Sequence, residues 1–483
     1  MNAMRLSQLM RRNLAVDPEI TGVTADSRLV RPGFLFAALP GARVDGRDFA
    51  PAAVAQGAAA ILAGDDIPGL GVPVVSDSDP RRAYALAAAA FWGVQPKVCV
   101  AVTGTNGKTS VVAFCRQIFT RLGRSAASMG TLGVRAGDEQ VTAPGLTTLD
   151  AADMARLLAD LAARGVTHVA LEASSHGISQ RRLDGVRLTS AGFLNLSQDH
   201  LDYHGTMGAY RAAKLRLFET LLPRDATAVL NADSDQFEVF AGAAMHAGQT
   251  VLSVGERGQS LTLAARTPTA EGQRLRVVEQ GRTHDINLPL VGAFQASNAL
   301  IAAGLCIAAG ENPDAVLAAL EHLEGAPGRL QRVGAGSRGG EAYVDYAHTP
   351  DGLETVLTAL RPHVRGRLIV VFGAGGDRDR GKRPLMGEIA ARLADVAIVT
   401  DDNPRSEPPE AIRAAILTAA PSAREIGDRR AAIREAAELL RDGDVLVVAG
   451  KGHEQGQLVA GVNHAFDDVR ETAAALGLET VHG

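Results

Sequence analysis

Residues 103–109 read Thr-Gly-Thr-Asn-Gly-Lys-Thr, directly after the apolar run Val98-Cys-Val-Ala-Val102. A buried strand that runs into a glycine-rich turn ending in Gly-Lys-Thr describes a phosphate-binding loop. Glycines let successive backbone N–H groups close around oxyanions, Lys108 neutralises the outer phosphates, and the Thr109 hydroxyl can ligate magnesium. A helix expected to begin at the end of the loop, before Val111-Val-Ala-Phe114, adds the positive end of its dipole. The ligand this chemistry fits is a nucleoside triphosphate. The loop is a shortened variant, because Val102 stands six residues before Lys108, where the usual pattern has glycine.

Other groups could do chemistry beside it. Glu172 closes the run Val166-Thr-His-Val-Ala-Leu-Glu172 and precedes Ala173-Ser-Ser-His-Gly177, so a carboxylate, hydroxyls and an imidazole gather where a triphosphate would lie. It reads as a magnesium ligand or as the acidic cap of a helix. In Asn195-Leu-Ser-Gln-Asp-His-Leu-Asp-Tyr-His204, Asp199 and His200 either complete a metal and phosphate site or belong to a polar loop. Lys214, within Tyr210-Arg-Ala-Ala-Lys-Leu-Arg-Leu-Phe218, reads by itself as a solvated lysine on a short amphipathic helix. Further along, Asp345, Arg378, Arg405 and Glu454 place mixed charges on loops. Carboxylates take an ammonium and the planar guanidinium fork fits a carboxylate, so this set suits a zwitterion; surface ion pairs are the other reading.

These groups need elements to position them, and 483 residues are too many for one hydrophobic core. The predicted class is α/β in three domains. Residues 1–97 alternate short apolar strands (33–38, 58–62, 72–75) with helical stretches (50–56, 81–92) and form a small N-terminal α/β domain. Gln95-Pro96-Lys97 punctuates the chain before the phosphate loop. Residues 98–328 repeat strand, helix, strand, with strands at 166–172, 188–195 and 227–231 and a helix at 153–164. This predicts a central phosphate-loop domain with a mostly parallel sheet and helices on both faces. The turn cluster Gly325-Ala-Pro-Gly328 ends the helix at 313–323, and residues 329–483 form a C-terminal Rossmann-like domain. Its strands at 341–345, 367–372, 396–400 and 444–449 each end in polar or glycine-rich sequence, which describes a binding cleft at their carboxyl ends.

Composition narrows the partners. The chain is 46% hydrophobic and 21% charged with a net charge of -5, so no basic field exists to hold DNA or RNA. Cys99, Cys115 and Cys306 are widely spaced, which argues for a reducing compartment, against a zinc cluster, and for burial as small apolar residues. No apolar run is long enough to span a bilayer, and a cytoplasmic monomer is expected.

The ordered set Gly104-Thr-Asn-Gly-Lys-Thr109, Glu172-Ala-Ser-Ser-His176, Asp199-His200, Lys214, Asn298, Gly328-Arg329, Asp345-Tyr-Ala-His348 and Gly450-Lys-Gly-His-Glu454 resembles the Mur ligases over essentially the whole chain. Asp402-Asn-Pro-Arg405 resembles the amino-acid selection motif of the members that add diaminopimelate. The resemblance implies that Gly104, Thr105, Asn106, Gly107, Lys108, Thr109 and Ser110 cradle ATP, with Asn298, Arg329 and Asp345 also contacting it. It implies one magnesium on Thr109 and Glu172, another that His200 helps to hold, and a carbamate on Lys214 that serves as a cation ligand beside the γ-phosphate. Ser27, the Gly41-Ala-Arg-Val-Asp45 loop, Thr147, Thr148, Ser174, Gln180 and Arg182 match positions that receive UDP-N-acetylmuramoyl-L-alanyl-D-glutamate. Arg378, Asp402, Asn403, Pro404, Arg405, Gly450 and Glu454 match the meso-diaminopimelate pocket. Departures are Leu146 and Gln295, where relatives have asparagine, and the unusual Ala42-Arg43-Val44.

The implied reaction activates a carboxylate, which is otherwise a poor electrophile, as an acyl phosphate at the expense of ATP; an amine then displaces phosphate. Lys108, Glu172, His200 and Lys214 are its expected catalytic residues. The base that deprotonates the amine stays open between His348, Asp345 and a water. Folylpolyglutamate synthase, Mur ligases adding alanine or D-glutamate, and a nucleotide-driven switch are the competing readings. The N-terminal domain and Asp402-Asn-Pro-Arg405 speak against the first two, and the expected amino-acid pocket against the third.

Overall fold

The computed structural model describes residues 3–41, 44–269 and 271–478. The chain divides into two compact units, residues 1–262 with 300–316, and residues 263–299 with 317–483. The class is α/β, as the alternation of patterns predicts.

In the first unit, strands Gly22–Thr24, Phe34–Ala37, Ala60–Ala63 and Val74–Ser76 pair in that order, all parallel. Helix Pro80–Trp92 starts where Asp79 accepts the Arg82 N–H and Pro80 supplies a preset φ. Its alanine-rich face lets it pack closely, and the Tyr84 hydroxyl donates to Asp150, the residue that caps helix Ala151–Ala163. A second sheet carries parallel strands in the order Ala126–Gly130, His168–Glu172, Val98–Thr103, Ser190–Phe193, Thr227–Asn231, Thr250–Gly255. All six residues of Val98–Thr103 are buried, as a central strand covered on both faces requires. Register aligns Glu172 with Val102 and Phe193 with Thr103, so three strands deliver their carboxyl ends side by side.

The second unit holds strands Gln331–Ala335, Glu341–Asp345, Val445–Ala449, Leu368–Phe372, Val396–Val399 and Arg424–Glu425 in that spatial order, parallel except at the first pair. Leu368, Val370 and Phe372 enter one core while Ile369 and Val371 enter another, the period-two signature of a strand covered on both faces. The unit also contains an antiparallel hairpin, Gln273–Glu279 with Arg282–Leu288, that the sequence pattern did not suggest. Its buried Leu275 and Val277 alternate with exposed arginines, a pattern masked by the charged face. Cys99, Cys115 and Cys306 are free and buried, as expected. Among the described residues no helix is long and apolar enough to cross a membrane.

Candidate functional site

Strand Val98–Thr103 passes through the loop into helix Lys108–Arg121, and Gly107, at φ 92°, makes the turn that a side chain would strain. The Lys108 ammonium folds over the loop, donating to the carbonyls of Gly104 at 2.9 Å and Thr105 at 2.8 Å. Thr109 and Ser110 are buried in the first turn. From the adjacent strand end, Asn195 Oδ1 accepts the N–H groups of Thr105 (3.1 Å) and Asn106 (2.9 Å), which fixes the loop's shape.

Lys214 is not solvated, as its helix pattern alone suggests, but 1% exposed. Its Nζ donates to the same Gly104 carbonyl at 2.8 Å and lies 4.4 Å from the centre of the Tyr210 ring. Burial, and then the neighbouring Lys108 charge, push its pKa well below the ordinary lysine value. The amphipathic stretch is helix Met207–Arg216, and its lysine faces inward onto the loop.

Glu172 is 2% exposed, and its carboxylate accepts the Thr131 N–H at 2.9 Å and hydroxyl at 3.3 Å. The cap of helix Ser175–Ser179 is Ser174, not Glu172. The Thr148 hydroxyl donates to the Glu172 carbonyl and shares a hydrogen bond with Ser174, while Thr147 meets Thr131 at 3.0 Å. Arg182 donates to the Thr148 carbonyl and to Gln180, and Gln180 donates to the Tyr203 hydroxyl. Tyr203 and His200 both pack on His176, with ring centres 4.1 and 4.8 Å apart. His200, at φ 53°, is half-exposed and 3.4 Å from Asp199. The structure thus joins Thr147, Thr148, Ser174, Gln180 and Arg182 in one network with Glu172 and His200. Ser27 is half-buried on the turn Ser27–Leu29 and makes no side-chain hydrogen bond among the described residues. Ala42 and Arg43 lie outside the described residues.

Magnesium keeps most of its water and needs only one or two protein oxygens beside substrate phosphates. The Thr109 hydroxyl and Glu172 carboxylate are oxygen donors of that kind. Hard oxygen donors suit magnesium, whereas zinc takes nitrogen and sulfur ligands, so this pair fits magnesium better than zinc.

In the second unit, Asp345 is buried, accepts the N–H groups of Leu330 (2.6 Å) and Ala347 (2.8 Å), and is pushed up to about 6 by burial. Arg329 lies over the Tyr346 ring at 4.7 Å, its carbonyl accepts from Gln295, and Gln295 in turn accepts from Asn298. His348 Nδ1 donates to the Tyr346 carbonyl at 2.8 Å, and burial lowers its pKa. Asn403, Lys451 and Glu454 are directly linked, while Asp402 is buried with Oδ2 unpartnered among the described residues. Arg405 sits at φ 54°, a strained setting for a side-chain-bearing residue. Its guanidinium donates to the Gly376 carbonyl at 2.6 Å, and Pro404 is buried beside it. Gly450, at φ 124°, abuts Asp402: a Cβ there would stand 2.5 Å from Oδ2. Arg378 is exposed and makes no hydrogen bond or ion pair among the described residues, so the structure does not join it to this cluster.

Asn195, Thr131, Tyr210, Lys451 and the pair Arg383 with Glu407 were missed by sequence reasoning. Asn195 was the most findable, as a polar residue just past a strand end. Glu407 takes two bonds from the buried Arg383 and one from the Asp377 N–H, fastening the loop that carries Arg405.

Family models match in chain order: Mur ligase family, catalytic domain, at residues 19–92; Mur ligase middle domain at 102–306; and Mur ligase, glutamate ligase domain, at 328–452. The chain belongs to the Mur ligase family. It is 71% identical over 478 residues, 98% of each chain, to the UDP-N-acetylmuramoyl-L-alanyl-D-glutamate--2,6-diaminopimelate ligase of Caulobacter vibrioides. It is 54% identical over 470 residues, 96% of each, to the ligase of the same name from Mesorhizobium japonicum. A solved structure of a ligase of that name is 36% identical, with TM-score 0.75, covering 98% of this chain and 99% of that one. The MurF ligase of Thermotoga maritima in complex with ADP shares the fold at 18% identity and TM-score 0.61, over 94% of this chain and 96% of its own.

Proposed function

We propose that this protein is an ATP-dependent, ADP-forming acid–amino-acid ligase that adds meso-2,6-diaminopimelate to the D-glutamyl γ-carboxylate of UDP-N-acetylmuramoyl-L-alanyl-D-glutamate, a step of peptidoglycan precursor synthesis. The protein comprises a UDP-substrate domain (1–97), an ATP domain (98–328) and an amino-acid domain (329–483). It acts as a cytoplasmic monomer. The observation that carries the reading is the pair of lysines, Lys108 and Lys214, converging on the Gly104 carbonyl of a phosphate loop in a chain so similar to named diaminopimelate ligases.

Lys108 and the loop N–H groups bind the ATP phosphates; Thr109 and Glu172 would hold one magnesium and His200 would help to hold another, and the metal would supply positive charge beside the transferred phosphoryl group. Lys214 is carbamylated. Its lowered pKa favours the neutral amine, whose nitrogen attacks carbon dioxide and releases one proton, converting a buried neutral amine into an anion. Asn298, Arg329 and Asp345 complete ATP binding. Ser27, Thr147, Thr148, Ser174, Gln180 and Arg182 hold the muramoyl dipeptide so that its γ-carboxylate attacks the γ-phosphorus, breaking the bond to the β–γ bridging oxygen and leaving ADP and an acyl phosphate. Arg378, Asp402, Asn403, Pro404, Arg405, Gly450 and Glu454 receive diaminopimelate, whose neutral amine attacks the acyl phosphate and expels phosphate. Lysine lacks the distal carboxylate and would leave the Arg405 fork unpaired.

The test is ADP release with UDP-muramoyl dipeptide and meso-diaminopimelate, lysine or no amine. ADP formed only with diaminopimelate is expected. Release without either joining partner, or equal release with lysine, overturns the reading.

A further inference from the structure

Lys451 is 0% exposed, although nothing in a phosphate or carboxylate chemistry assigns it a task. It sits on a turn squeezed by its neighbours. Gly452 has φ 55°, and a Cβ there would stand 2.7 Å from Tyr346 Cβ and 2.9 Å from the Gly328 carbonyl. Lys451 Nζ lies 2.8 Å from Asn403 Oδ1 and 3.5 Å from Glu454 Oε2, and the Leu458 N–H lies 2.9 Å from the same Oδ1. An ammonium and a backbone N–H are donors only, so the amide end facing both of them must be the oxygen. The opposite end must then be the NH2, and it donates to Glu454 Oε2 at 2.9 Å. With both lone pairs of Oδ1 occupied, the amide group left to meet a ligand is an N–H.

We propose that Lys451 is a positioning residue that fixes which end of the Asn403 amide faces the ligand, and so sets the polarity of the amino-acid pocket: a donor at Asn403 for a carboxylate, an acceptor at Glu454 for an ammonium. This rests on the reading that the pocket takes diaminopimelate. It assigns the two ends of one zwitterionic centre to two side chains held in register by a single buried cation. Burial lowers the pKa of Lys451, while Asp402 and Glu454 favour its charge.

Lys451→Met keeps the length and removes every donor. The Michaelis constant for diaminopimelate is expected to rise about 10- to 100-fold, the range for losing a hydrogen bond to a charged group. Those for ATP and the muramoyl dipeptide should move less than about twofold, since neither meets the Asn403 amide. In an Asn403→Ala background, where no amide remains to be oriented, Lys451→Met should add no further loss. An unchanged diaminopimelate constant, or losses that add, overturns the proposal. Should Lys451→Met fail to fold, Asn403→Asp decides: it keeps the acceptor for Lys451 but removes the donor, and wild-type affinity for diaminopimelate would refute the idea. A wild-type protein that forms no ADP with diaminopimelate refutes instead the assignment of the pocket.

Discussion

Gly130 ends strand Ala126–Gly130 and takes no part in chemistry, yet Gly130→Ala should disable the nucleotide site. A Cβ at this position would stand 2.5 Å from both Cγ and Cδ of Glu172 and closer still to Oε1. Carbon atoms rest at about 3.5 Å, so the carboxylate must retreat by about 1 Å. The neighbour is a side chain rather than backbone, so the fold survives: about 1–3 kcal/mol of overpacking, with about 1.5–3 kcal/mol more if the Thr131 bonds to the charged carboxylate are lost. A 1 Å misplacement in a reacting constellation costs on the order of 100-fold in rate. The assay is ADP release at saturating substrates against a magnesium titration, beside a thermal melt. Expected are a folded protein, kcat down about 100-fold, and a raised magnesium requirement. A Gly130→Ala enzyme with wild-type kcat and magnesium dependence would refute the role given to Glu172.

Arg405→Ala should raise the diaminopimelate Michaelis constant by about two orders of magnitude, the loss expected for truncating one partner of a buried charged pair, with the ATP constant unmoved; steady-state kinetics reads both. Lys214→Ala should be inactive and recover partly when short carboxylates are added, and full activity without them rules out the carbamate. Asp468→Ala leaves Arg429 buried without its carboxylate, a pair with 0% exposure on each side, and should cost about 3–5 kcal/mol in denaturant unfolding. Arg383 holds the Glu407 carboxyl down at about 2, from an ordinary value of 4.5. A depressed acid contributes stability that is present above about pH 4.5 and lost as the pH falls toward 2. Glu407→Gln should flatten the fall in melting temperature across that window, and an unchanged slope contradicts the pairing.

What the sequence determined by itself was the chemistry that lies in contiguous backbone. A phosphate loop is one strand end, one turn and one helix start, so Thr103 to Thr109 spell it locally, and strand alternation placed Glu172 and Asp345 at strand ends because burial on both faces leaves an unbroken apolar run. Only the tertiary structure decided what meets those ends. Lys214 reaches Gly104 across 110 residues of sequence, Asn195 reaches Thr105 across 90, and Lys451 reaches Asn403 across 48. Periodicity reports which face of its own helix or strand a residue occupies. It cannot report that a charged face will be covered, since that depends on the register of strands far away in the chain. For the same reason a lysine that reads as solvated becomes a buried, neutral-leaning amine once Val98–Thr103 and its neighbours are paired.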